Sequence, residues 1–248
     1  MKKYILAIDQ GTTSSRVVLY DSKFKIKSIE QKEFKQYFPN DGWVEHDAQE
    51  IWRDVEHLIR QTIKKNKLRP SQIISIGITN QRETTVLWNK KTGKPIHKAI
   101  VWQDRRTADY CDQLKLKKKD KIIQKITGLV LDPYFSATKI KWILDKISKN
   151  NKNQITDILF GTIDTWLLWK LTEGKSHYTD ITNASRTMIF DSNKEEWSKE
   201  LLKLFNINKS LLPEVKENAF NFGSTKLFGG NIVIGGMAGD QQAATIGQ

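Results

Sequence analysis

Two short apolar segments near the start of the chain are separated by a polar stretch. Tyr4 to Ile8 and Val17 to Tyr20 are rich in aliphatic, aromatic and β-branched residues, and the stretch between them carries an aspartate, a glycine and four consecutive hydroxyl side chains. This pattern predicts two strands joined as a hairpin with the polar stretch at its tip. Lys25 to Phe34 alternates well enough for a third strand, so we expect an antiparallel meander.

The pattern then changes to that of a helix and a buried strand. Asp47 and Glu50 have the spacing of a capping box, and apolar positions recur on one helical face from Ile51 until Pro70. Ile73 to Asn80 is a nearly continuous apolar run, which is typical of a strand in the middle of a sheet.

The second half of the chain is more helical. Its predicted helices are Arg105 to Lys117, Ala137 to Ile147, Thr162 to Leu171 and Glu195 to Phe205. A last strand, Asn231 to Asp240, ends in small residues and a carboxylate, and a further helix starts after it. Three strands followed by alternating helices and strands predict an α/β fold with a mixed sheet, organised as one structural domain over residues 1–248.

Composition narrows the class of protein. Apolar residues make up 38% of the 248 residues and aromatic residues 10%, which favours a globular protein over a disordered one. The net charge of +13 raises nucleic acid as a partner, but the densest basic run, Leu114 to Lys125, has no aromatic side chains for base stacking. We interpret the charge as a solvated lysine-rich face and expect no nucleic-acid partner.

The expected location follows from three short observations. Lys2 and Lys3 precede an apolar run that is too short for a signal peptide and is interrupted by Asp9. No segment approaches the roughly 20 apolar residues that span a bilayer. The single cysteine, Cys111, permits no internal disulfide. These features predict a cytoplasmic protein without stable membrane insertion.

The polar stretch between the first two strands has the residue types of a phosphate site. The N–H groups and hydroxyls of Thr12, Thr13 and Ser14 can contact a phosphate, as anion-binding nests do. Asp9 can hold a magnesium ion through water, and Arg16 can add a charged fork to the same phosphates. The alternative is that the hairpin turn uses these side chains for local hydrogen bonds.

Eight sequence blocks, spread over nearly the whole chain, share one resemblance. The blocks are DQGTTSSR from Asp9, GWVEHD from Gly42, GITNQRETT from Gly77, IVWQDRRT from Ile100, TGLVLDPYFSATK from Thr127, GTIDTWLLWKLT from Gly161, TNASRT from Thr182 and GMAGDQQAA from Gly236. In this order they resemble the glycerol kinases of the FGGY carbohydrate kinase family. The NQRET block is the most diagnostic, because sugar-specific relatives carry a different sequence there.

The resemblance implies an actin-like, ribonuclease H-like fold with an active site in the cleft between two domains. This chain resembles only the first domain, and the C-terminal nucleotide-binding domain is absent from it. The implied activity is ATP- and magnesium-dependent phosphorylation of glycerol to sn-glycerol 3-phosphate, inactive without the second domain. Dimers and tetramers are common in the family, so the resemblance leaves homo-oligomerisation open.

The resemblance also assigns roles to residues. The glycerol-binding residues that it implies are Arg82, Glu83, Trp102, Tyr134, Asp240 and Gln241. Those implied to hold the ATP phosphates are Thr12, Thr13, Ser14 and Arg16, with Asp9 supporting magnesium. Asp240 is the expected catalytic base, because it lies where a strand ends and a helix begins. Its alternative role is a helix N-cap.

Two histidines and two regulatory positions complete the expectations. No ligand-spaced partner accompanies His46 or His177, so we interpret both as structural. Ala219 to Phe222 stand where some relatives carry a regulatory phosphohistidine, and Asn231 stands where others carry an arginine for fructose 1,6-bisphosphate. We therefore expect neither form of control. The competing functions are a kinase for a pentulose or another polyol, and a non-catalytic fragment that binds glycerol or nucleic acid.

Overall fold

The computed structural model describes residues 2–150 and 157–248. Short and long strands alternate with helices along most of the chain. The strands are β1 Tyr4–Gln10, β2 Ser14–Asp21, β3 Ile26–Glu33, β4 Gln36–Tyr37, β5 Glu45–His46, β6 Ile73–Asn80, β7 Val86–Asn89, β8 Ala99–Ile100, β9 Ile158–Gly161, β10 Tyr178–Asp180, β11 Phe190–Asp191, β12 Glu196–Trp197, β13 Glu214–Lys216, β14 Ser224–Thr225 and β15 Ile232–Gly239. The α-helices are α1 Ala48–Lys65, α2 Ala108–Leu116, α3 Asp120–Thr127, α4 Ser136–Asn150, α5 Ile163–Leu171, α6 Ile181–Ala184, α7 Lys199–Phe205 and α8 Asp240–Gly247.

A mixed sheet with the order β14-β15-β6-β1-β2-β3 forms the centre of the fold. β1, β2 and β3 pair antiparallel, as Ile8 opposite Val17 and Val18 opposite Ile29 show. β6 lies parallel to both β1 and β15. Because parallel strands point the same way, the carboxyl ends of β1, β6 and β15 meet at one edge of the sheet. The predicted meander and the mixed α/β fold are confirmed.

Two apolar cores hold the molecule together. The first packs α1 and α5 against the central sheet, and its largest fully buried members include Trp88 and Trp166, whose ring centroids are 5.3 Å apart. The second core packs α2, α3, α4 and α7 around residues such as Phe160 and Phe205. Cys111 lies in this second core, where burial raises the pKa of its thiol to about 12. This cysteine is therefore an inert apolar packing residue.

The start of α1 is the one that the local sequence pattern predicts. Asp47 has extended backbone angles, and its carboxylate accepts hydrogen bonds from the N–H groups of Gln49 at 2.8 Å and Glu50 at 3.2 Å. It is the N-cap of a helix whose buried face includes Ile51, as the spacing predicts. The helix ends at Lys65, before the proline that the sequence marks as its limit.

One prediction about the helical half is wrong. The predicted helix from Glu195 begins instead at Lys199, because Glu196–Trp197 pairs with Phe190–Asp191 as a short hairpin and Ser198 then caps the helix. The lysine-rich run from Leu114 to Lys125 is solvated as predicted, since its lysines are all exposed, and it also contains the first turns of α3, which buries Ile123. Lysines surround that buried position on the exposed side, so the run is both charged and helical.

Among the helices of the described residues, none combines the length and the apolar character needed to cross a membrane.

Candidate functional site

The polar edge of the central sheet brings distant segments of the chain together. Gly11 follows β1, Gln81 follows β6 and Asp240 follows β15. The N–H of Gln81 donates to the carbonyl of Gln10 at 2.7 Å, so the first two of these segments are joined directly. This is the edge at which α/β sheets place their ligands.

Arg82 and Asp240 form the centre of the site. The Nε of Arg82 donates to Oδ1 of Asp240 at 3.0 Å, and its NH1 donates to Oε1 of Gln242 at 3.3 Å. The arginine side chain is only 12% exposed, whereas that of Asp240 is 41% exposed. The carboxylate of Asp240 is therefore accessible to solvent, whereas the guanidinium of Arg82 is largely buried.

Gly239 makes room for this pair. A Cβ at Gly239 would lie 2.5 Å from Cδ of Arg82 and 2.7 Å from its Cγ, much closer than real carbon contacts. The N–H of Gly239 donates to Oγ1 of Thr182 at 2.8 Å, and that hydroxyl donates to the buried carboxylate of Asp180. Thr182 and Asp180 thus fix the end of β15, and the side chain of Arg82 packs directly against the backbone of Gly239. Gly239 is also the N-cap of α8, so Asp240 is the first helical residue and not the cap.

Glu83 is a buried carboxylate with an arginine partner. Its side chain is 1% exposed and accepts from Nε of Arg186 at 2.7 Å. Burial raises the pKa of Glu83, and the positive charges of Arg186, Arg82 and Lys139 oppose that rise. The backbone of Glu83 has a φ of +60°, and the hydroxyl of Ser136 donates to its carbonyl at 3.1 Å. A strained backbone held by its surroundings is a common feature of binding sites.

Trp102 and Tyr134 form an aromatic wall beside these charges. Their ring centroids are 5.4 Å apart. Burial raises the pKa of the Tyr134 hydroxyl, and the nearby carboxylate of Glu83 raises it further. The fully buried Lys139 donates from Nζ to the carbonyl of Tyr134 at 2.6 Å, which fixes the loop that carries the tyrosine. The wall therefore has fixed apolar faces and a neutral phenol.

The turn after β1 adjoins the aromatic wall. The indole N–H of Trp102 donates to Oγ1 of Thr12 at 3.0 Å. Within the part of the chain that the structure describes, the backbone N–H groups of Thr12 and Thr13 have no hydrogen-bond partner. The hydroxyl of Ser14 accepts from Nε2 of Gln31 at 3.0 Å, so this residue is partly engaged by β3. Two free N–H groups in one turn make the arrangement suitable for an anion.

Asp9 and Arg16 flank the turn on the neighbouring strands. They are register partners in β1 and β2, and NH1 of Arg16 lies 3.6 Å from Oδ2 of Asp9. Burial raises the pKa of Asp9, Arg16 lowers it and the carboxylate of Asp240 raises it. Asp9 is therefore close enough to Asp240 for the two negative charges to repel each other, which is a condition that a cation relieves.

The predicted site residues thus come together at one edge of the sheet, with Glu83 buried beneath its neighbours, and with one qualification. Gln241 is exposed, and its described contacts are made by its backbone: the N–H donates to Oδ1 of Asp240 at 2.8 Å, and the carbonyl accepts from the hydroxyl of Thr245 at 2.9 Å. Its neighbour Gln242 contacts Arg82 instead. The sequence assigned no role to Gln242 or to Arg186, although Arg186 lies within the quoted block TNASRT. Arg186 is 103 residues from Glu83, and no spacing rule connects them.

Comparison with known proteins identifies the family of this chain. A family model described as the FGGY family of carbohydrate kinases, N-terminal domain, matches residues 4–247. The chain belongs to the FGGY carbohydrate kinase family. The resemblance inferred from the sequence blocks is confirmed.

Curated relatives of this FGGY chain include glycerol kinases. It is 54% identical to the glycerol kinase of Lactococcus lactis, over 99% of this chain and 50% of that protein. It is 55% identical to the glycerol kinase of Petrotoga mobilis, over 100% of this chain and 50% of that protein. The chain therefore spans about half the length of the curated relatives that it matches.

Solved structures give the same relation. The structure of Plasmodium falciparum glycerol kinase with ADP matches with a TM-score of 0.92 at 40% identity, covering 99% of this chain and 50% of that one. A gluconate kinase from Lactobacillus acidophilus matches with a TM-score of 0.86 at 24% identity, covering 100% of this chain and 50% of that one. At that identity the second likeness shows the fold alone.

Proposed function

We propose that this chain is the substrate-binding half of an ATP-dependent glycerol kinase, which phosphorylates glycerol to sn-glycerol 3-phosphate when a second, nucleotide-binding domain is present. One observation supports this proposal above the others. Arg82, Glu83, Trp102, Tyr134 and Asp240 come from four separate segments and cluster beside a turn with free N–H groups. The glycerol kinases among its relatives support the choice of substrate.

Glycerol is a chain of three carbons with a hydroxyl on each, so its pocket must pair hydroxyls and cover C–H groups. Glu83 accepts hydrogen bonds, Arg82 donates them, and the neutral phenol of Tyr134 can do either. Trp102 covers the carbon chain with its ring face. A pocket of this kind discriminates against analogues that lack a hydroxyl, because its own buried polar groups would lose their partners.

Asp240 is positioned to act as the base. Its Oδ1 is engaged by Arg82 and by the N–H of Gln241, which fixes the carboxylate plane. The carboxylate is exposed toward the open side, where a hydroxyl of glycerol can approach Oδ2. Asp240 then takes the proton from the hydroxyl as its oxygen attacks the terminal phosphorus of ATP, with ADP as the leaving group.

The turn and its flanking charges are suited to the ATP phosphates. Thr12 and Thr13 offer N–H groups and hydroxyls, Ser14 adds a hydroxyl and Arg16 adds a positive charge. The repulsion between the carboxylates of Asp9 and Asp240 fits a Mg²⁺ ion, which prefers oxygen donors and is usually bound by one or two carboxylates together with substrate phosphates. When bound, magnesium neutralises charge on the phosphates. Asp9 would hold it through water.

The test uses the chain alone and a two-domain chimera. In ligand-observed NMR, the purified chain is titrated with glycerol, ribulose and xylulose, with Asp240→Ala as the control variant. The chimera joins the chain to the C-terminal half of a curated glycerol kinase relative, and its turnover is measured with the same three substrates. We expect selective glycerol binding that Asp240→Ala abolishes, and glycerol phosphorylation by the chimera with none by the chain alone.

Other outcomes would redirect the assignment. A folded chimera that phosphorylates ribulose or xylulose but not glycerol would mean a pentulose kinase. A folded chimera without turnover, and a chain whose strongest ligand is DNA or RNA bound in a salt-dependent manner, would mean a binding protein.

A prediction for Gly239 tests whether Arg82 must cross the end of β15. Gly239→Ala is expected to displace Arg82 and weaken glycerol binding roughly tenfold to a hundredfold, because a misplacement of about 1 Å has effects of that size. The measurement is the KM for glycerol in the chimera. Gly236→Ala is the matched control in the same strand, since a Cβ there lies 3.8 Å from the nearest atom. Equal KM values for the two variants would contradict the geometry of the pair.

A further inference from the structure

The turn after β1, residues 11–13, is called the phosphate turn. Its shape depends on the hydrogen bonds that its carbonyl groups accept. The carbonyl of Gly11 accepts from Nε2 of Gln10 at 2.8 Å and from Nε2 of Gln81 at 3.0 Å. The carbonyl of Thr12 accepts from Nε2 of Gln36 at 2.8 Å. Both peptide oxygens therefore point into the protein. Because the two ends of a peptide unit point in opposite directions, the N–H groups of Thr12 and Thr13 point to the open side.

His46 connects the two glutamines that hold these carbonyls. Its Nε2 lies 3.0 Å from Oε1 of Gln36, and its Nδ1 lies 3.3 Å from Nε2 of Gln81. The ring is fully buried, and Phe34 packs edge-on against it with ring centroids 4.9 Å apart. The imidazole thus bridges the inner ends of two side chains that reach the same turn.

The hydrogen-bond directions in this chain of groups agree with one another. Gln36 donates from Nε2 to Thr12, so its Oε1 must accept, and His46 must carry its proton on Nε2. Nε2 of Gln81 lies 3.0 Å from the carbonyl of Gly11, 3.1 Å from Oε1 of Gln10 and 3.3 Å from Nδ1 of His46, so its two N–H groups are shared among three acceptors. Because an amide nitrogen only donates, Nδ1 of the imidazole must accept. A neutral histidine with the proton on Nε2 satisfies both contacts. A charged histidine would carry a proton on Nδ1 as well, and that N–H would then point at the amide N–H of Gln81.

The environment of the ring keeps it neutral. Burial lowers the pKa of His46 to about 4. The residues that contact it from β4, from the end of β6 and from the segment before β4 are Gln36, Gln81 and Phe34, which carry no charge. The histidine therefore keeps one protonation state and one tautomer over the neutral range.

From this geometry we infer that His46 is a positioning residue for the phosphate turn: it orients Gln36 and Gln81 so that they hold the carbonyls of Thr12 and Gly11 inward and the N–H groups outward. The inference concerns the turn itself, and its role in ATP binding rests on the proposed function. His46 acts through the two glutamines and does not contact the nucleotide.

The first test reads the carbonyl groups directly. In the ¹³C- and ¹⁵N-labelled full chain, His46→Ala is expected to move the carbonyl carbon signals of Gly11 and Thr12 upfield, as carbonyl carbons do when hydrogen bonds to them are lost. The matched control is His177→Ala. His177 is also a buried histidine whose pKa burial lowers to about 4, and its Nε2 lies 2.8 Å from the carbonyl of Phe160. The control is expected to leave both turn signals unchanged.

Two conservative variants test the two hydrogen bonds of His46 separately, the one to Gln36 and the one to Gln81. His46→Gln places an amide nitrogen near the position of Nε2 and is expected to restore the Thr12 signal. His46→Asn places an oxygen near the position of Nδ1 and is expected to restore the Gly11 signal. This crossed rescue is not expected of a histidine that only fills space.

The second test measures phosphate affinity. Titration of the chain with Mg·ADP and with pyrophosphate is expected to give a Kd about tenfold weaker for His46→Ala than for His177→Ala, the effect of one lost buried hydrogen bond. In the chimera the KM for ATP should rise by a similar factor while the KM for glycerol stays within about twofold.

Unchanged carbonyl signals in a folded His46→Ala chain would overturn the inference. If that variant does not fold, His46→Gln and His46→Asn decide instead, because each keeps one of the two contacts of His46. The Gly11 signal must then move in His46→Gln, and the Thr12 signal must move in His46→Asn. The carbonyl signals report on the turn whether or not the chimera phosphorylates glycerol, so a failure of the proposed function is distinguishable from a failure of this inference.

Discussion

Asp240→Asn in the two-domain chimera is expected to lower kcat about a thousandfold, within the range that general bases contribute. Asparagine keeps the oxygen that accepts from Arg82 and from the N–H of Gln241, but it cannot take a proton from glycerol. The free energy of unfolding is therefore expected to change by less than about 1 kcal/mol. The measurements are steady-state turnover and chemical denaturation of the same preparation.

The control for this prediction is Asp157→Asn. Asp157 is a partly exposed carboxylate that pairs with Lys91 at 2.6 Å away from the sheet edge, and its loss should leave kcat unchanged. If Asp240→Asn retains full turnover, Asp240 is not the base. If it loses turnover together with several kcal/mol of stability, its role is structural.

Arg186→Met is expected to have the largest effect on stability. It leaves the carboxylate of Glu83 buried without its nearest positive partner, and breaking a buried ion pair in this way costs about 3 to 5 kcal/mol. Arg82 and Lys139 still lower the pKa of Glu83, which places the expected loss near the lower end of that range. Glycerol affinity should fall as well, because Glu83 is a proposed acceptor for its hydroxyls.

The pH dependence of this loss has a defined sign. Removing Arg186 raises the pKa of Glu83 further, so the folded state binds a proton more strongly than the unfolded state, whose pKa is near 4.5. Unfolding free energy then falls as pH rises from about that value to the raised one, and stays low above it. The deficit relative to the unmodified chain should be largest at neutral pH and smallest below the unfolded pKa.

Urea denaturation at a series of pH values measures this dependence. Arg105→Met is the control, because Arg105 pairs with Asp132 at 3.0 Å with 56% and 33% of the two side chains exposed, and such pairs contribute at most about 1 kcal/mol. A deficit for Arg186→Met that does not change with pH would mean that lost packing, and not the charge of Glu83, determines its stability.

Local sequence patterns correctly predicted those helices and strands that are determined by neighbouring residues in the chain. Asp47 caps α1 because an aspartate before an amphipathic run satisfies the first N–H groups of the helix. The hairpin of β1 and β2 follows from two apolar strands around a polar turn. Where local signals compete, the sequence was insufficient: Glu196 and Trp197 have a helical pattern around them, yet they pair with a neighbouring strand.

The sequence by itself determined the mixed α/β fold and the family and supplied most residues of the proposed site, because apolar periodicity and contiguous motifs are local properties of the chain. Only the tertiary structure decided which buried charges and amides meet. Arg186 reaches Glu83 across 103 residues, and His46 reaches Gln81 across 35. These partners lie on different elements whose relative positions depend on sheet order and core packing. Sheet order and core packing decide which polar groups are buried and which partners they find, and no rule of spacing along the chain predicts this.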